Sequence, residues 1–437
     1  MTDEPTRVRR RSRGGQLELW VPAVTTDWPI QPTASRPTRT RQLARCNPAM
    51  LQWGRESLGL SLKEAAAQLR IPASRLEAWE RGNSRPTIPQ LRKIAHRYRR
   101  SLPAFFLPAP PRDWPVPRDW RRLPGHPPLQ PSPELLIALR LAFYRRSIAM
   151  ELDSEAPSSP VVGIFRARLV AEDMAVKARA LLGVTLAQQE SWEPRYGALN
   201  SWKNALERAG VLVFHFTDVP VGEVRGFSLS ERTLPVIGVN GSDSVNGRIF
   251  TLAHELGHLM LGEGGSCDLG DATRARLARD RTEVLCNQFA GALLVPADAL
   301  IGDPVVARAD RSSQWSDFEL DRLATRFRVS REVVLRRLLV VGRASIDLYR
   351  RKRAELLALP IADKRGQKAD AKGRGPGVAV MVVRDVGKPF ARLVLDAYHA
   401  DSISGPDVAD YLGVGLRHLP AIETRLVGQD VLTGGNR

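Results

Sequence analysis

Cysteine is scarce: Cys46, Cys267 and Cys286 are the only three in 437 residues, and their spacing fits neither a disulfide framework nor a CxxC metal knuckle. A chain without such staples fits a reducing cytoplasm. Long apolar runs are missing too. The arginines near the start (Arg7, Arg9, Arg10, Arg11, Arg13) have the charge of a leader peptide, but no apolar segment follows them. No stretch of 18 apolar residues occurs anywhere, so neither secretion nor membrane spanning is expected. Acidic residues are in deficit, 47 against 65 Lys plus Arg, which leaves a net charge of +18 and makes a polyanion the first partner to consider. No internal repeat of solenoid period appears. What is there, 43% hydrophobic and 26% charged residues, is the composition of a globular protein, and the length suggests roughly two to four domains.

Residues 1–45 mix Arg, Thr, Pro and Gly without hydrophobic periodicity and read as a basic disordered tail. From 46 to 108, apolar residues recur at helical spacing between turn signals, as in a small bundle of about five helices. Proline then crowds the span 109–133, an extended connector whose Trp114 and Trp120 favour packing on a surface. The span 134–316 begins with helices near Glu134–Leu152 and Val170–Leu182, followed by another at Ala198–Ala209. Three β-like runs follow, Val211–Phe216, Arg225–Ser230 and Leu234–Asn240, which read as a small antiparallel sheet leading into a helix that starts near Gly247. A helical segment (317–358), a polar linker (359–387) and a last helical segment (388–437) complete the chain.

The most specific signal is FTLAHELGHLML, Phe250 to Leu261. Residues i and i+4 share a helix face, so His254 and His258 can offer imidazole nitrogens to one ion, and Glu255 beside them can take a proton from water at that ion. Leu252, Leu256, Leu259 and Leu261 give the helix an apolar face, and Gly257 is read as leaving room beside the ion for close backbone approach. A catalytic zinc needs a third protein ligand. Downstream candidates are Glu263, Cys267, Asp268, Asp271, Asp280, Glu283 and Cys286. Glu283 opens TEVLCNQFAGALLVP, whose stripe Val284, Leu285, Phe289, Leu293 and Leu294 would pack that helix on the first, while Cys267 is the runner-up and Cys286 reads as a small buried residue.

RGFSL, LPVIGVN and GRIFTLAHELGHLML, followed by EVLCNQFAGALLVP, resemble the ImmA/IrrE family of intracellular metallopeptidases, with Cys286 where that family usually has alanine. The resemblance implies an α+β zincin-like metallopeptidase domain with a helical C-terminal extension. It also implies Zn2+ held by His254, His258 and Glu283, with Glu255 as general base. The strand Leu234–Asn240 is expected to pair a substrate peptide, and His215 and Arg225 are weak candidates for stabilising an oxyanion.

In LSLKEAAAQLRIPASRLEAWERGNSRP, Ser61 would cap a helix ending at Leu69, Ile71 and Pro72 would make a turn, and Ala73–Glu80 would form a second helix. This segment resembles the XRE class of helix-turn-helix repressor domains, an all-α bundle. The resemblance points Ser74, Arg75 and Ala78 at the major groove and Arg70, Arg81 and Arg85 at phosphates. Arg70 stands where glycine is common, and Ala78 has no donor for a base edge. A second such pattern, Asp317–Gly342, either touches DNA or buttresses the peptidase core; its stripe Leu320, Leu323, Phe327, Val334, Leu335 and Leu338 favours the buttress, while Arg331, Arg336 and Arg337 keep DNA open.

The expected protein is a cytoplasmic zinc endopeptidase fused to a DNA-binding domain. It would regulate transcription, in a stress response or in the control of mobile elements, by cleaving a protein substrate such as a repressor. It would have no membrane partner, and a homodimer would suit a two-fold operator. Two alternatives are open: a DNA-binding regulator whose peptidase-like domain senses a ligand or binds a protein without proteolysis, and an antitoxin-like binding module.

Overall fold

The computed structural model describes residues 43–98, 100, 102–110, 120–121, 131–165, 170–262, 272–358 and 376–428, with the side chains of 96, 120–121, 272–280 and 357–358 set aside. The chain divides into Met1–Leu43 and one compact unit, Ala44–Arg437. The basic tail and most of the proline-rich connector lie outside the described residues.

Four helices and a 3-10 turn (Leu102–Phe106) open the larger unit: α1 (Pro48–Glu56), α2 (Leu62–Leu69), α3 (Ala73–Glu80) and α4 (Ile88–Tyr98). Asn47 caps α1 and Ser61 caps α2, the latter in a full capping box with Glu64. Arg70 ends α2 in the left-handed conformation (φ 57°), where glycine would be less strained. Leu51, Leu58, Leu69, Leu76, Trp79, Leu91 and Tyr98 form the core of this bundle, each buried leucine contributing about 1.5–3 kcal/mol. A two-pronged contact from Arg55 to Glu80, at 2.8 and 2.9 Å, ties α1 to α3.

The connector joins a sheet. β1 (Trp120–Arg121) pairs antiparallel with β3 (Gly226–Leu229), β3 pairs antiparallel with β4 (Val236–Asn240), and β4 pairs parallel with β2 (Leu212–Phe216), giving the order β1-β3-β4-β2. The antiparallel sheet expected from the sequence is thus corrected to a mixed one. Its last strand, β4, lies inside the sheet with both edges paired and cannot receive a substrate strand.

Alternate strand residues face opposite layers. Val213, Ile237 and Val239 meet a core built with α6 (Ala171–Leu182), α8 (Tyr196–Arg208), α9 (Val245–Leu261) and α10 (Ala272–Leu294). Leu212, Phe214, Phe227 and Val236 meet α5 (Pro133–Leu152) and the C-terminal helices. α5 also touches the first bundle, because Leu136 and Ile137 pack on its core and Arg140 donates to the Ser57 carbonyl. Between α6 and α8 runs the short α7 (Leu186–Ser191).

After α10 come α11 (Ala297–Ile301), α12 (Pro304–Ala307), α13 (Asp317–Phe327), α14 (Arg331–Val340) and α15 (Ile346–Ala358). Leu320, Leu323, Phe327, Val334, Leu335 and Leu338 sit in the same core as α9 and α10, so the second helix-turn-helix pattern is a wall of that core. The polar linker expected over 359–387 is corrected as well. α16 (Val378–Val386) falls within it, because Val382, Val383 and Val386 bury against the sheet and the helices that follow: α17 (Lys388–His399), α18 (Gly405–Leu412) and α19 (Leu419–Gly428). Lys203 of α8 donates to the Arg384 carbonyl at 2.6 Å, closing the C-terminus of α16. Among the described residues no helix is long and apolar enough to cross a membrane.

Candidate metal centre

α9 is capped by Ser244, whose side chain accepts from Gly247 N, and ends at Gly262 in the left-handed conformation. Almost all of it is buried, as its apolar face predicts, and α10 lies alongside. Gly257 makes that packing possible: a Cβ there would stand 3.0 Å from Phe289 and 3.1 Å from the Cys286 sulfur. Its role is therefore the close backbone approach expected of it, and the helix it admits is α10.

This packing brings Glu283 to the two histidines. The His254 and His258 Nε2 atoms are 3.1 Å apart, and the Glu283 carboxylate reaches them at 3.4 and 3.2 Å. Three donor atoms within 4.8 Å of one another, two imidazole nitrogens and one carboxylate oxygen, form a set that suits zinc and leaves a fourth tetrahedral corner. His254 is 0% exposed and His258 3%, whereas the Glu283 side chain is 32% exposed, so the open corner lies on the glutamate side. Burial opposes a charged His258, but contacts with Cys286 and Glu283 override it and hold its pKa well above the usual histidine value. Burial also opposes the Glu283 carboxylate, yet the two imidazoles hold its pKa well below the carboxylate range. The pocket is thus polarised for a cation, which would take the place of these protons.

Glu255, 1% exposed, lies against β3, where the Ser228 hydroxyl donates to its Oε2 at 2.9 Å. Gly226 on the same strand permits this approach, since a Cβ there would meet Thr251 at 2.3 Å and the Glu255 Cγ at 3.4 Å. Ser228 was not singled out from the sequence. The signal was a hydroxyl inside an otherwise apolar strand shortly before the histidine motif.

Glu263, Cys267, Asp268 and Asp271, and the side chain of Asp280, are outside the described residues. Cys286 is buried against His258, with burial raising its thiol pKa. His215 is no oxyanion donor: its Nδ1 is 2.8 Å from the Arg384 carbonyl, and burial, followed by the charges of Lys203 and Arg248, keeps the ring neutral. Arg225 is engaged with Asp243 at 3.2 Å. In the first bundle Ser74, Arg75, Arg70 and Arg85 are exposed, Ala78 is half-buried, and Arg81 is exposed but paired with Glu77 at 2.7 Å.

Residues 206–339 match the family described as the IrrE N-terminal-like domain, a Peptidase_M78 family, and residues 51–105 match the helix-turn-helix family. The first match covers β2 to β4, the metal centre, α13 and nearly all of α14, and the second runs from within α1 through α4. No curated protein matches the chain.

Proposed function

From a chain that joins a helix-turn-helix to an IrrE-like peptidase domain, we propose a zinc-dependent endopeptidase that regulates transcription in the cytoplasm. The observation that carries the reading is the convergence of His254, His258 and Glu283 beside a buried, hydrogen-bonded Glu255.

Zinc held by these three residues would supply Lewis acidity for a peptide carbonyl and a more acidic water at the open corner. Glu255 is the general base: its carboxylate takes the proton of the attacking water and delivers it to the departing amine. Ser228 fixes the carboxylate by donating to its Oε2. The buried walls around α9 exclude bulk water and strengthen each of these interactions. The substrate we favour is a repressor protein, and α3 would bring the enzyme to DNA through Ser74 and Arg75 at base edges and Arg70, Arg81 and Arg85 at phosphates, as a homodimer on a two-fold operator.

Metal analysis tests the centre. Wild-type protein and Glu255→Gln should each carry one zinc, and Glu283→Ala should lose most of it. Glu255→Gln should cleave peptides about 100- to 10,000-fold more slowly. Equal zinc in Glu283→Ala would remove that residue from the ligand set, and full activity in Glu255→Gln would favour a sensing module without proteolysis.

A further inference from the structure

A groove of about 850 Å³ runs between the start of α9, the helix that carries His254, and the turn joining α13 to α14. Gly247 and Phe250 line it, seven and four residues before His254, so both project from nearly the same helix face as that ligand. Arg225 lines it as well, next to Gly226, whose position abuts the general base.

Charge is what distinguishes this groove. Five arginines line it, Arg195, Arg225, Arg328, Arg331 and Arg336, against three carboxylates. Each carboxylate already has an arginine: Asp243 holds Arg225 at 3.2 Å, Glu332 holds Arg353 at 2.9 Å, and Asp321 holds Arg331. Arg328 donates to two backbone carbonyls, Thr325 and Glu190, and Arg336 is exposed at the rim. Arg195 and Arg328 also occupy left-handed backbone (φ 57° at each), where glycine would be less strained. Positive charge is therefore kept at a conformational cost, over a wall floored by buried Phe250, Val329 and Val333, which weakens screening by water.

Resting on the reading of the centre as a peptidase, we infer that this groove is a specificity site for acidic peptide, selecting substrates with Asp or Glu roughly two to four residues to one side of the cleaved bond. That offset follows from the rise of α9: Phe250 and Asn246 lie one and two turns from His254, about 6 and 12 Å, against about 3.3 Å per residue of extended peptide. A DNA duplex fits less well. The groove is concave, and the helix that would enter a major groove, α14, has Val333, Val334, Leu335 and Leu338 buried.

The test uses the full zinc-loaded chain and a random peptide library, with cleaved bonds read by mass spectrometry. Asp and Glu should be enriched at that offset on one side. In the double variant Arg195→Glu/Arg336→Glu the rate ratio of an acidic to a neutral peptide should fall about tenfold. Cleavage without acidic preference would overturn the inference while leaving the peptidase reading intact. A binding arm on Glu255→Gln, by anisotropy with labelled Glu-rich and Lys-rich peptides, separates the two failures. Selective binding of the Glu-rich peptide, lost in the charge-reversed protein, would support the groove even if no bond is cut. Equal binding of both peptides, or displacement of the Glu-rich peptide by random duplex DNA at these arginines, would refute it.

Discussion

The same local grammar appears twice in the molecule, with opposite outcomes. In each case a Ser-x-x-Glu capping box starts a helix (Ser61 and Glu64; Ser316 and Glu319), an arginine in left-handed backbone ends it (Arg70; Arg328), and a second helix follows after two residues. α3 buries only Leu76 and Trp79 and leaves Ser74 and Arg75 in solvent. α14 buries Val333, Val334, Leu335, Arg337 and Leu338, and its Arg337, 2% exposed, donates to the Val295 carbonyl at 2.9 Å and pairs with Glu172 at 2.8 Å. The turn chemistry makes a helical hairpin; what covers the second helix decides whether it can read DNA. An apolar residue at both the third and fourth positions of α14 widens its stripe beyond one face, and the peptidase-like core closes over it.

Core truncation is the strongest way to break this comparison. Leu335→Ala should cost about 2–5 kcal/mol of unfolding free energy, read by urea denaturation, because the cavity opens in the core that also holds α9 and α10. Arg75→Ala, at an exposed site, should stay within about 0.5 kcal/mol. Similar stabilities for the two variants would mean that α14 is not a wall.

DNA affinity sharpens the comparison from the other side. On duplexes selected from a random pool by the wild-type chain, Arg75→Ala should weaken binding by about 1–3 kcal/mol and relax the preference at one base pair. Arg336→Ala, on the exposed rim of α14, should leave DNA binding unchanged, and a loss as large as that of Arg75→Ala would restore α14 as a second reader.

Why the sequence carried some of this and not the rest follows from the range of each determinant. Helix caps, turns and the spacing of His254 and His258 are local, and α2, α3, α5, α6 and α9 lie within a few residues of where caps and periodicity put them. Glu283 was reachable because Phe289, Leu293 and Leu294 of its helix pack in the core shared with α9, with Leu285 beside them, although Val284, expected in the same stripe, is exposed. Sheet order is not local: nothing in Val236–Asn240 says that β4 inserts between β3 and β2, so its edges could not be read. Ser228 became a partner of Glu255 only through that order. α16 was missed because its short apolar run follows a long polar stretch and is too brief to stand out, although Val382, Val383 and Val386 keep helical spacing and its end is held by Lys203.

The smallest expected effect isolates the two hairpins by a single oxygen. Tyr98 closes the first core at 0% exposure, and among the described residues its hydroxyl has no hydrogen-bond partner; Phe327, equally buried, fills the second without a hydroxyl. An unmatched buried hydroxyl costs about 1–3 kcal/mol, so Tyr98→Phe should stabilise the helix-turn-helix by about 1 kcal/mol in denaturation followed by a probe in that bundle. Burial, aided by the charge of Glu80, also pushes the Tyr98 phenol well above its ordinary value. A raised folded pKa means the folded state keeps a proton that the unfolded chain releases. The contribution is full below pH about 10 and is lost as pH rises toward the folded value, by about 1.4 kcal/mol per pH unit. Wild type should therefore weaken above pH about 10 more steeply than Tyr98→Phe. A variant less stable than wild type at neutral pH, with the same alkaline slope, would show that the hydroxyl is satisfied and that the two cores do not differ in this way.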